Sequence, residues 1–170
     1  MTDCHETTLS WLTEPARIPR AARLEMGYWG SARLPTGEAY AVISVPAAVV
    51  HAAVGSPSRA VERRRLHEVL AGGAIYRDEE AASYNALVAA SARQTWDDED
   101  ATCASAFELV RIPHPARTLT SPTWCQSPPG PPVHWIVLNG PERVCAPGRI
   151  RSLLALGRRR GAAEVCDGEH

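Results

Sequence analysis

Lysine is missing from this chain. All 18 of its basic residues are arginine. A Schiff-base lysine and a phosphate-loop lysine are therefore excluded. Any anion site must use arginine, backbone amides or helix N-termini. Paired cysteines are also missing: the five, Cys4, Cys103, Cys125, Cys145 and Cys166, are widely spaced, odd in number and contain no CxxC. With an N-terminus, Met1 to Glu14, that carries acids and no secretory apolar stretch, they read as free thiols in a reducing cytoplasm. No apolar run approaches the ~18 residues of a membrane span, so a membrane partner is not expected. None of GxSxG, HExxH, a P-loop or GxGxxG occurs. No catalytic residue and no cofactor is assigned.

What is present suits one domain with a real core: 170 residues, 45% hydrophobic and 22% charged, with a net charge of −1. The charge is uneven. Arg63-Arg64-Arg65 and Arg158-Arg159-Arg160 are basic runs, and Asp78-Glu79-Glu80 and Asp97-Asp98-Glu99-Asp100 are acidic ones.

Residues 1–14 read as a flexible N-terminus and 161–170 as a flexible polar tail. The domain lies in 15–160. A short helix is predicted over 15–27 and a strand over 28–34. Pro35-Thr36-Gly37-Glu38 forms a turn. Ala39 to Val45 is β-branched and weakly alternating, a buried strand, and Pro46 then starts a helix over 47–54. A second helix spans 58–71. A third is predicted over 79–93 from the stripe Tyr84, Leu87, Val88, Ser91 and Ala92. Strands follow at 105–112 and 133–138, separated by a Pro-rich loop, 113–132. The last helix, 147–160, turns Ile150, Leu153, Leu154 and Gly157 to one side. Val42, Ile43, Val45, Trp135, Ile136 and Val137 are expected in one shared core. The fold class is α+β, a small mixed β-sheet with helices packed on one face.

The acidic run 97–100 reads as a solvated loop, since two-metal chemistry needs carboxylates fixed on rigid elements. His114, Cys125, His134 and Cys145 lack the short paired spacings of a structural zinc site, so no metal is assigned. His134 sits on a strand face, as a satisfied histidine or one that touches an anionic ligand. The arginine triplets read first as solvated helix surface and second as phosphate contacts. Trp124 and Trp135 near Arg117 and Arg143 read as core or loop anchors before base-stacking platforms.

One resemblance crosses these segments. Leu34-Pro-Thr-Gly-Glu-Ala-Tyr-Ala-Val-Ile-Ser-Val-Pro-Ala47 resembles a pattern in actinobacterial proteins related to the bifunctional DNA primase/polymerase N-terminal domain, where such a turn leads into a buried strand and a helix. Val110-Arg-Ile-Pro-His-Pro115 and Pro128-Pro-Gly-Pro-Pro-Val-His-Trp-Ile-Val137 look like its later strands. Val144-Cys-Ala-Pro-Gly-Arg-Ile-Arg-Ser-Leu-Leu-Ala-Leu-Gly157 looks like its closing helix. Active members carry paired acids on a strand; the matched strand here has Ala41 and Ser44 instead, and no family catalytic residue maps onto this chain. The resemblance implies a non-catalytic, primase/polymerase-like protein contacting nucleic acid or nucleotide, or accessory to replication, with Arg149, Arg158, Arg159, Arg160 and His134 as contacts. The alternatives are a protein-interaction or regulatory module using the loop 113–132, and a small Cys/His enzyme. Arginines gathered on one face favour the first, an exposed apolar patch beside the loop the second, and a perturbed Cys–His pair in a cleft the third.

Overall fold

A computed structural model describes residues 3–55, 58–118 and 132–167. Most of the Pro-rich loop, with Trp124 and Cys125, lies outside the described residues, as do residues 168–170 of the expected tail. The chain runs α1 (Asp3–Thr13), α2 (Pro19–Trp29), β1 (Ser31–Pro35), β2 (Ala41–Pro46), α3 (Ala47–Val54), α4 (Arg59–Val69), β3 (Ile75–Asp78), β4 (Ser83–Val88), a 3-10 turn over 90–94, β5 (Thr102–Cys103), β6 (Leu109–Pro113), β7 (Val133–Val137) and α5 (Pro147–Asp167).

Five strands form one sheet in the order β5-β2-β4-β3-β7, and β1 pairs with β6 in a second, two-stranded one. All these ladders are antiparallel. Isolated parallel bridges join Val88 to Cys145 and Thr118 to Trp135. This is the α+β arrangement that the sequence predicts. α3, α4 and α5 cover one face of the large sheet. The other face is covered as well, by α1, α2 and the β1–β6 pair.

The large sheet therefore has two cores. A strand alternates its side chains between faces. Ile43, Val45, Ile136 and Val137 accordingly pack with Val50, Leu66, Ile150 and Leu154 on the α3–α5 side. Val42 and Trp135 pack with Leu12, Met26, Leu34 and Ile112 on the other. The expectation of one shared core for these six residues is thus corrected by the pleat, and on β7 by a register shift at Ile136 that brings the adjacent Val137 to the same side.

Three further expectations change. Of the segment 1–14 expected to be flexible, residues 3–13 form α1: Leu9, Trp11 and Leu12 on it are buried, and the Tyr40 hydroxyl donates to the Leu12 carbonyl over 2.9 Å. At the other end, α5 continues past Arg160 to Asp167. The helix predicted over 79–93 is instead a β3–β4 hairpin. Asp78 Oδ1 accepts the Ala81 amide across its turn at 2.9 Å, and Ala82 takes a left-handed φ of 48°. Tyr84 through Val88 are all buried, because β4 lies between β2 and β3 in the sheet centre. A strand covered on both faces need not alternate apolar with polar, and the buried Asn85 bonds Ser44, so its periodicity does not distinguish it from a helix.

The helix ends follow local rules. Pro19 opens α2, where its missing N–H costs nothing. Gly30 closes it at φ 73°, its amide bonded to the Met26 carbonyl.

Candidate interaction surface

The arginines of α5 do not form a common face. Arg158 is held by Asp98 and Asp100. Arg151 bonds Asp97 at 2.8 Å and lies over the Trp96 ring, 5.3 Å from its centroid. The acidic run is thus an exposed loop whose charge is answered by α5. Arg160 donates to the Ala53 carbonyl at 2.7 Å, and Arg65 donates to the Val54 carbonyl. Both guanidinium groups thereby satisfy the orphan carbonyls at the C-terminus of α3, where the helix dipole favours cations. Arg149 and Arg159 are exposed and have no ion pair among the described residues. His134 stands on β7, cross-strand from Arg77. Burial lowers its pKa, against the pull of Glu79. The five residues expected to share a nucleic-acid contact are therefore divided among a salt-bridged loop, a helix cap, two solvated positions and an edge strand.

A second polar group lies between α3, α4 and the sheet. Tyr84 donates its hydroxyl to the Glu62 carboxylate, and His51 Nε2 lies 3.1 Å from the same hydroxyl. The Arg77 guanidinium sits 4.6 Å above the Tyr84 ring and bonds Glu79 at 3.2 Å. Arg77 Nη1 is buried without a hydrogen-bond partner. Glu62 is only 8% exposed. Its pKa is raised, first by burial, while His51 and Arg77 pull it back. The sequence does carry a signal for it: Glu62, Leu66 and Leu70 are spaced i, i+4, i+8, one helical stripe.

The cysteines take no part in such a group. The Cys145 thiol is buried, faces the Ala74 carbonyl at 3.4 Å and is pushed up to about 12 by burial. Cys103 is half-buried and its pKa is likewise raised. Among the described residues neither thiol bonds a histidine, and no three His, Cys, Asp or Glu side chains are disposed to hold a metal ion. No described helix is long and apolar enough to cross a membrane.

The outer face of α2 is different. Met26 and Ala22 turn inward, which leaves Leu24 and Tyr28, one turn apart, facing out. Leu24 is 68% exposed, Tyr28 and Ile18 each 62%, and Trp29 47%. The rings of Tyr28 and Trp29 meet edge-on, 4.7 Å between centroids. Single exposed apolar residues are ordinary; four on one short helix and its cap are not. Arg17, Arg20 and Arg33 are exposed nearby in sequence, and none has a carboxylate partner among the described residues. The first residues of the Pro-rich loop dock at the end of the same helix. The His114 amide donates to the Gly30 carbonyl at 2.9 Å, and a Cβ at Gly30 would stand 2.9 Å from the Arg117 guanidinium. The end of α2 that carries Tyr28 and Trp29 therefore adjoins the loop.

Comparison with protein-family models, with curated proteins and with solved structures finds no match to this chain. The resemblance to primase/polymerase-type domains rests on the sequence segments alone.

Proposed function

We propose that this chain is a non-catalytic protein-interaction domain that docks an acidic, amphipathic segment of a partner protein on the outer face of α2. The observation that carries the reading is the exposed set Ile18, Leu24, Tyr28 and Trp29. Aromatic and large aliphatic side chains exposed together are what interface centres use. Arg17, Arg20 and Arg33, close by in sequence, outnumber the one acid of α2, the exposed Glu25, and so favour an acidic partner. A nucleic-acid reading has less to draw on. Arg158 and Arg160 are occupied within the molecule, and Asp97, Asp98 and Asp100 lie along the same helix. Such acids oppose phosphate contact.

Selection from a random peptide library tests the proposal. Enriched peptides should carry Asp or Glu around apolar anchors spaced i, i+3 or i+4. The double variant Leu24→Asp, Tyr28→Asp should lose them while keeping its melting temperature, because both positions are solvent-facing. No enriched pattern, or one that survives the double substitution, refutes the α2 face. Salt-dependent retention of single-stranded DNA by the intact protein, lost in Arg149→Ala, Arg159→Ala, would instead favour the nucleic-acid reading.

A further inference from the structure

A cavity of about 220 Å³ opens beside the edge strand β7. It lies where the two helical layers meet: His5 and Thr8 of α1 line it from one side and Arg63 of α4 from the other. Leu138 supplies apolar wall, and Trp135, only 1% exposed, meets the cavity at its edge. Among the described residues no carboxylate lines it. The nearest acid in α1 is Glu6, close enough to act on His114. Arg63 makes no ion pair or hydrogen bond through its side chain among the described residues. Its sequence neighbour Glu62 is turned away into the Tyr84 contact and does not neutralise it.

We infer that this cavity binds a small molecule with a flat apolar body and one carboxylate, the body against Leu138 with only the edge of Trp135 beneath it, and the carboxylate on Arg63. Apolar walls with a few convergent polar groups are the usual make-up of small-molecule sites. The volume equals roughly seven water molecules at ~30 Å³ each, which suits a ligand on the order of ten non-hydrogen atoms. Arginine meets a carboxylate with two parallel N–H donors, a geometry that a neutral amide cannot reproduce. His5 adds a second donor at the rim. The site is separate from the α2 face, and the two readings stand or fall independently.

Benzoate is the probe, with benzamide as its uncharged counterpart. The indole N–H of Trp135, which donates to the Pro113 carbonyl at 3.1 Å, reports the site by NMR. Benzoate should shift that resonance with an affinity of about millimolar or tighter, within the range that so small a ligand can reach. Benzamide should bind more weakly. Arg63→Ala should weaken benzoate roughly ten- to hundredfold, the worth of a charge-assisted contact, and Arg63→Lys should restore part of it. Arg63 is exposed, so its variants keep the wild-type melting temperature and the loss is one of binding. An unmoved Trp135 resonance at millimolar benzoate, equal binding of benzamide, or undiminished binding by Arg63→Ala overturns the site.

Discussion

Glu62 is the one charged side chain buried among the described residues, and its surroundings give it a pH signature. Burial raises its folded-state pKa above the ordinary glutamate value. Protonation then favours the folded state. This contribution is fully present below the ordinary glutamate pKa of about 4.3 and is lost as the pH rises through the higher folded value. Glutamine keeps the acceptor for Tyr84 and carries no charge at any pH. Glu62→Gln should therefore gain on the wild type, in melting temperature, as the pH is raised from about 4 to about 8. A difference that stays flat or reverses would show that His51 and Arg77 fully offset the burial. At this scale the sequence is partly legible. The inward positions of α5 follow from their spacing, and Glu62 shares the stripe of Leu66 and Leu70. What spacing cannot supply is the identity of the partners. Tyr84 lies on a strand and His51 on another helix, and nothing local joins them. The arginine runs mislead for the same reason, since Arg158 and Arg160 find their partners in distant segments.

Among the elements, α3 and α5 are in closest contact, and Gly157 permits it. A Cβ there would lie 2.6 Å from the Val49 carbonyl oxygen and 2.9 Å from Val49 Cγ1. Alanine at an ordinary helical glycine gains up to ~1 kcal/mol. Here the crowding costs about 1–3 kcal/mol, and it falls on backbone, which cannot swing aside. Arg65 and Arg160 also fix the end of α3. Gly157→Ala should therefore lower the melting temperature by several degrees, at ~2–4 °C per kcal/mol for a chain of this size. An unchanged or higher melting temperature would mean that the helices slide apart freely. Most elements are legible in the sequence: Pro46 before α3, Gly30 after α2, and the β-branched runs of β2 and β7. The misread helix over 79–93 and the missed α1 share one cause. Both are fixed by what covers them, β4 by a strand on each side and α1 by the Trp135 face of the sheet.

For the whole molecule, two cores on one sheet make a thermodynamic prediction. Trp135 belongs to one and Ile43 to the other. Their strands are three spacings apart in the order β2-β4-β3-β7, roughly 14 Å. Trp135→Ala should cost ~3–5 kcal/mol and Ile43→Val about 0.5–1.5 kcal/mol. The two should add to within about 0.5 kcal/mol in denaturant titrations. Coupling well beyond that would mean that the sheet does not separate its faces. The candidate surface was legible only as a rule for choosing between readings. An apolar patch beside the loop was its test, and the patch lies on a helix whose outward residues the sequence alone does not distinguish from core.

The order of strands has a further consequence, in time. The sheet is finished by β7, which follows its partner β3 only after β4, β5 and β6 have been made. The α3–α5 core is finished later still, by α5. Until then the growing chain has β3 unpaired on one side and the α3–α4 layer without α5, while α1, α2, β1 and β6 are already made. Completion of both cores therefore waits for β7 and α5, and such non-local pairing is slow. In that interval the exposed strand edges are what a chaperone, or another unfinished copy, would meet.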